Sequence, residues 1–280
     1  MIRYQRALTL ICVLAACVLT DTAPRMLMAQ ARQVDPLSVS SLLLKVMSGG
    51  ETLGTATGFV VRKGSSYYLV TNWHVVSGRR PDNDAPMDPK GRIPDEVQIF
   101  HNLKGRLGEW HWVSEDLLDS KTRTKRWIEH PKLGKRVDVV MLELTKIGGS
   151  DLYPVNLDLR STPILIQPAG TVSLVGFPFG HASYLGLPIW KTGTIASDPD
   201  IDYDDSPQFL VDATGRPGMS GSPVYARRVG GYLGEDGNYK IFPGAADRFV
   251  GVFAGSIDGA SEIGRVWKSS ALMEIYNGLE

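Results

Sequence analysis

The run Gly218-Met219-Ser220-Gly221-Ser222-Pro223-Val224 sets a serine between two glycines, just ahead of an apolar strand. Glycine accepts positive φ without a steric penalty, so the run forms a tight exposed turn that presents the Ser220 hydroxyl. The same turn can aim the amides of Gly218 and Ser220 at one point. Two convergent amides stabilise the oxyanion that develops when an acyl carbon is attacked. A serine is a weak nucleophile at neutral pH unless a base takes its proton and a third group orients that base. Two other stretches offer such groups. His74, in Thr71-Asn72-Trp73-His74-Val75-Val76, follows the apolar run 67–70, and Asp138 leads into Val139-Val140-Met141-Leu142. The chemistry to expect is acyl transfer. Ser220 attacks a carbonyl, His74 takes and returns the proton, and Asp138 fixes the tautomer of His74 and steadies its cation.

Each residue taken alone has a plainer explanation. His74 could be a core histidine and Asp138 a strand-end charge; Glu143, Asp151 and Asp158 are rival acids, and Ser222 is a rival serine. Thr71 and Asn72 read as scaffold. The order His74, Asp138, Ser220, with Gly-x-Ser-Gly around the serine, resembles the chymotrypsin-like (trypsin-fold) serine peptidases. An esterase or lipase of the α/β-hydrolase kind runs serine, acid, histidine and needs glycine where this chain has Ser222.

Further motifs carry the resemblance along residues 40–270. Gly58-Phe59-Val60 leads into a turn and a strand ending in Thr-Asn-x-His. Gly176-Phe177-Pro178-Phe179-Gly180, Thr192-Gly193-Thr194-Ile195 and Asp212-Ala213-Thr214-x-x-Pro217-Gly218-x-Ser220-Gly221 resemble the matching places in bacterial high-temperature-requirement proteases. Ser-Gly-Ser-Pro-Val resembles the glutamyl endopeptidase branch, which gives the role to the first serine. The resemblance implies an all-β chain of two six-stranded Greek-key β-barrels with a C-terminal helix. It implies an oxyanion hole from Gly218 and Ser220, and a substrate pocket at Thr214, Ala254, Gly255 and Ser256. Neutral Thr214 at the pocket base argues against Arg or Lys before the scissile bond. Phe253, where glutamyl endopeptidases carry histidine, argues against Glu. A small or medium uncharged residue is expected there. Met219 stands where zymogen-activated relatives pair an aspartate with a cut N-terminus, so no such switch is expected. The substrates would be proteins or peptides. The alternative is a latent or catalytically idle domain that binds peptides or a partner.

The elements must hold these residues. The chain has 280 residues, 43% of them hydrophobic, enough for a sizeable core. Its 17 prolines and 30 glycines suit a turn-rich β protein, and zero formal net charge leaves no footprint for nucleic acid. Strands are expected at 39–47, 54–61, 66–71, 96–102, 109–114, 124–130 and 138–144, with a surface loop at 78–95. After a connection at 148–167, further strands are expected at 171–176, 189–197, 208–212, 222–226, 249–257 and 265–267. Residues 227–247 read as an inserted loop. Leu272, Ile275, Tyr276 and Leu279 follow helical spacing and predict a helix packed on the second barrel. The division is 36–150 for the barrel with His74 and Asp138, 151–167 for the connection, and 168–280 for the barrel with Ser220 and the helix.

Residues 1–31 read as a signal peptide: Arg3 and Arg6 precede an apolar run at 7–19, too short for a comfortable membrane span. Two exits are open. Ala29-Gln30-Ala31 is an Ala-x-Ala site, and Leu14-Ala15-Ala16-Cys17 resembles a bacterial lipobox that would leave Cys17 lipidated. Export across a bacterial inner membrane follows, with membrane contact only through that lipid. Both cysteines, Cys12 and Cys17, lie in this segment, which leaves the mature domain without a disulfide. The five histidines show no metal-ligand spacing, so neither a metal nor another cofactor is expected.

Overall fold

The computed structural model describes residues 34–258 and 261–279. The leader 1–31, with Cys12, Cys17 and both exits, lies outside the described residues. The described residues open on a single helical turn, α1 (Pro36–Ser40). The sequence pattern places a strand from residue 39. Asp35 decides otherwise: its carboxylate accepts the Leu37 amide at 2.9 Å and Pro36 takes the first helical position.

The first sheet contains β1 (Ser41–Ser48), β2 (Glu51–Lys63) and β3 (Ser66–Thr71). After α2 (Trp73–Ser77) come β4 (Glu96–Leu103), β5 (Arg106–Asp116), β6 (Trp127–Ile128), β7 (Val140–Glu143) and β8 (Ser150–Asp151). Its order is β5-β4-β1-β2-β3-β7-β6, with β8 added on β4. The sheet therefore has eight strands, two of them only two residues long. β6 falls short of the expected 124–130: the Thr124 carbonyl is taken by the Asp119 amide at 2.8 Å in the turn before it. Leu44, Val60, Leu69, Val76, Ile99 and Leu142 fill the interior of this sheet.

The second barrel is a closed ring. It comprises β9 (Thr171–Gly176), β10 (Ile189–Ile195), β11 (Gln208–Asp212), β12 (Pro223–Leu233), β13 (Tyr239–Ser256) and β14 (Ile263–Lys268). The ring runs β10-β11-β14-β13-β12-β9, a Greek-key order, around Leu174, Val211, Met219, Phe253 and Val266. A third cluster joins the two sheets, with Phe59, Val70 and Met141 meeting Val175, Tyr225 and Phe249. The all-β, two-barrel architecture is thus present, with a short C-terminal helix.

Residues 227–247 correct the loop reading. β12 and β13 continue through them as one antiparallel hairpin, paired Tyr232↔Lys240 and Leu233↔Tyr239. Cross-strand pairs hold it: Tyr232 packs against Phe242 with centroids 5.6 Å apart, and Arg227 grips Asp247 through Nε at 2.6 Å and Nη2 at 2.9 Å. Helix α3 (Ser269–Asn277) buries Leu272 and Ile275 as expected. It does not serve the second barrel alone. Lys63 of β2 donates to the Tyr276 carbonyl at 3.0 Å, and Lys132 reaches Glu274 at 3.1 Å.

Candidate active site

His74 is the second residue of α2, directly after β3. Gly78, at φ +67, ends the helix and donates its amide to the His74 carbonyl at 3.0 Å. Asp138 stands two residues before β7 and is buried. One carboxylate oxygen lies 2.7 Å from His74 Nδ1 and the other accepts the His74 amide at 2.9 Å. Asn72 Nδ2 donates to the Asp138 carbonyl at 2.7 Å, so Asn72 ties β3 to the acid. The rival acids are engaged elsewhere. Glu143 accepts Ser66 Oγ at 3.0 Å, Asp151 accepts the Gly105 amide at 2.7 Å, and Asp158 is exposed.

The serine turn is held by its carbonyls. Met219 donates its amide to Arg216 at 3.0 Å, closing a turn with Pro217 second and Gly218 third at φ +93, a place that demands glycine. The Pro217 carbonyl accepts the Phe179 amide at 2.5 Å, and the Gly218 carbonyl accepts Thr57 Oγ1 at 2.8 Å. The Met219 carbonyl accepts both the amide and the hydroxyl of Ser222, at 3.0 and 2.7 Å. The Ser220 carbonyl accepts the Thr57 amide at 2.8 Å. A trans peptide points its N–H opposite its C=O. With these carbonyls taken, the amides of Gly218 and Ser220 donate to no group among the described residues. The fully buried Ser222 hydroxyl is committed to Met219, whereas Ser220 Oγ has no hydrogen bond among the described residues. Met219 itself is fully buried in the apolar interior of the second barrel.

His74 and Ser220 line two adjoining hollows. The larger, about 480 Å³, adds Asp138, Gly215, Ala254, Gly255 and Ser256. The smaller, about 250 Å³, adds Gly218, Thr55, Ala56 and Val75. Thr214 lines neither. The ring of Phe253, buried in the second-barrel core, packs against Gly215, where a methyl group would come within 2.6 Å of Cζ, and lines neither hollow itself.

Two contributors were not legible as site residues. Loop 78–95 sends Arg80, Asp82 and Met87 to the larger hollow, and Met87, Asp88 and Arg92 to the smaller. Its one sequence signal is the i, i+4 spacing of Asp88 and Arg92, which meet at 2.8 Å. Hydrogen bonding from Arg92 holds the Asp88 carboxyl well below the usual carboxylate range. The other contributor is Thr57, whose partners lie far along the chain.

Residues 56–233 match the family model described as the trypsin-like peptidase domain. No curated protein matches the chain by sequence. Among solved structures, the serine endoprotease from Yersinia pestis is 14% identical with a TM-score of 0.48, covering 86% of this chain and 62% of that one. The chain thus spans less than two thirds of the Yersinia protein. The active form of the Rv3671c protease from M. tuberculosis is 15% identical with a TM-score of 0.47, covering 86% and 81%. The thermostable serine protease AL20 from an extremophilic microorganism is 12% identical with a TM-score of 0.49, covering 87% and 97%.

Proposed function

The chain belongs to the trypsin-like peptidase domain family, and on that premise we propose that it is a serine endopeptidase using His74, Asp138 and Ser220. The observation that carries this reading is the pair of hydrogen bonds from His74 to Asp138, from Nδ1 and from the amide, on a hollow that Ser220 also lines. With Nδ1 donating to Asp138, Nε2 is the free acceptor. It takes the Ser220 proton as Oγ adds to the peptide carbonyl. The amides of Gly218 and Ser220 receive the oxyanion. The C–N bond then breaks, His74 protonates the leaving amine, and water attacks the acyl-serine by the same route.

The residue before the scissile bond would enter the larger hollow beside Gly215 and Ser256. With the Phe253 ring packed against Gly215, that site would favour small or medium uncharged side chains. Residues 1–31 would direct export, either by cleavage after Ala31 or with lipid on Cys17. The test is hydrolysis of a peptide library by the chain lacking residues 1–31, with Ser220→Ala beside it. A turnover loss on the order of a millionfold is expected in the variant. Near-normal turnover would sink the assignment.

A latent enzyme is the second reading, favoured by one observation: Ser220 Oγ has no hydrogen bond to His74 among the described residues. A folded protein that gains turnover only after a partner or peptide is added would support it.

A further inference from the structure

Gly218 is the weak point of the serine turn. It sits at φ +93, and a glycine can rotate where another residue could not. Rotation there would swing the Gly218 amide away from the Ser220 amide. The peptide plane before Gly218 is held by the Phe179 amide on the Pro217 carbonyl. The plane after it is held by the Met219 amide on the Arg216 carbonyl and by one side chain, Thr57, from the other barrel.

Thr57 is fully buried in β2. Its hydroxyl donates to the Gly218 carbonyl at 2.8 Å and accepts the Phe177 amide at 3.1 Å, using both capacities of one oxygen. Its amide donates to the Ser220 carbonyl at 2.8 Å, and its carbonyl accepts Thr71 Oγ1 at 2.9 Å, at the end of the strand that leads to His74. One residue of the first sheet thus fixes two peptide planes of the serine turn and touches the strand that carries the base. Thr57 lines neither hollow, so it cannot meet substrate directly.

We propose that Thr57 is a positioning residue: its hydroxyl locks Gly218 and thereby holds the two oxyanion amides in register. This rests on the endopeptidase reading. Valine keeps the shape of threonine and removes the hydroxyl, while serine keeps the hydroxyl. In Thr57→Val, kcat should fall roughly tenfold to hundredfold, below the loss seen when an oxyanion donor is removed outright. KM should stay within about twofold, since ground-state binding is untouched. Affinity for a tetrahedral peptide boronate should fall by a factor similar to kcat, while affinity for the matching peptide acid holds. Thr57→Ser should retain kcat and boronate affinity within about threefold of the parent.

The proposal fails if Thr57→Val keeps parental kcat and boronate affinity, or if Thr57→Ser loses as much as Thr57→Val. It also fails if the loss falls on KM and the peptide acid alike. If Thr57→Val does not fold by circular dichroism, Thr57→Ala against Thr57→Ser decides in the same way. Ser220→Ala separates the two levels. If that control is as active as the parent, the endopeptidase reading and the Thr57 role fall together. If it is inactive while Thr57→Val is fully active, only the Thr57 role falls.

Discussion

Asp138 holds His74 at two points, the ring through Nδ1 at 2.7 Å and the backbone through the amide at 2.9 Å. The amide bond keeps Oδ1 facing the chain, so Oδ2 must face the ring. The carboxylate therefore dictates that Nδ1 carries the proton and Nε2 is bare. In Asp138→Asn the amide oxygen would accept the backbone N–H and the NH2 group would face Nδ1. Nε2 would then carry the proton and could not accept one from Ser220. Turnover should fall on the order of ten-thousandfold, with substrate binding little changed. Steady-state kinetics on a peptide ester and amide check this; a loss below tenfold would remove Asp138 from the mechanism.

Ser222 offers the sharpest contrast with Ser220. Its hydroxyl is fully buried and bonded to the Met219 carbonyl at 2.7 Å. Ser222→Ala removes that bond but leaves the Ser222 amide on the same carbonyl. Stability should drop by about 1 kcal/mol while kcat stays within a few-fold. Urea melts and turnover measured side by side test both halves. A dead but well-folded Ser222→Ala would shift the nucleophile assignment.

Phe253 should control which side chain precedes the cut. Its ring lies between Gly215 and Gly264, where added methyl groups would collide with it. Phe253→Leu opens that space at modest cost to the core, about 1 kcal/mol. The cleavage profile of a peptide library should broaden from small residues towards larger apolar ones. A parent profile dominated by Arg, Lys or Glu, or an unchanged profile in the variant, contradicts this role.

The first sheet carries a built-in acid sensitivity. His101 is 1% exposed, and neither ring nitrogen has a partner among the described residues. Burial, with a smaller push from His111, lowers its pKa from 6.5 to about 4. The folded protein therefore keeps His101 neutral while the unfolded chain binds a proton below pH 6.5. Stability from this group is fully present above pH 6.5 and is lost as pH falls towards 4, on the order of 3 kcal/mol in all. Urea midpoints across that window should slope downward, and His101→Leu should flatten part of the slope. Parallel slopes in the two proteins would rule the histidine out.

Local patterns made much of this legible. Glycine spacing around Ser220, the strand end before His74 and the acid before β7 are each written within ten residues, and all three residues line the larger hollow. What was hidden depends on partners far along the chain. The Thr57 hydroxyl meets Gly218 across 161 positions, and no local pattern marks such a contact. The glycines at 230, 231 and 234 suggested a loop, yet pairs such as Arg227 with Asp247 extend the hairpin across them. The resemblance alone put Thr214 in the pocket, and Thr214 lines neither hollow.

The most direct test of the assembled site is a fluorophosphonate probe on the folded chain lacking residues 1–31, followed by peptide mapping. Attack on phosphorus needs a serine made nucleophilic by its base and an oxyanion held by the two amides. Labelling confined to Ser220, and abolished in Ser220→Ala and His74→Ala, is the expected result. A folded protein that takes no label, or one labelled at Ser222, contradicts a working triad of His74, Asp138 and Ser220.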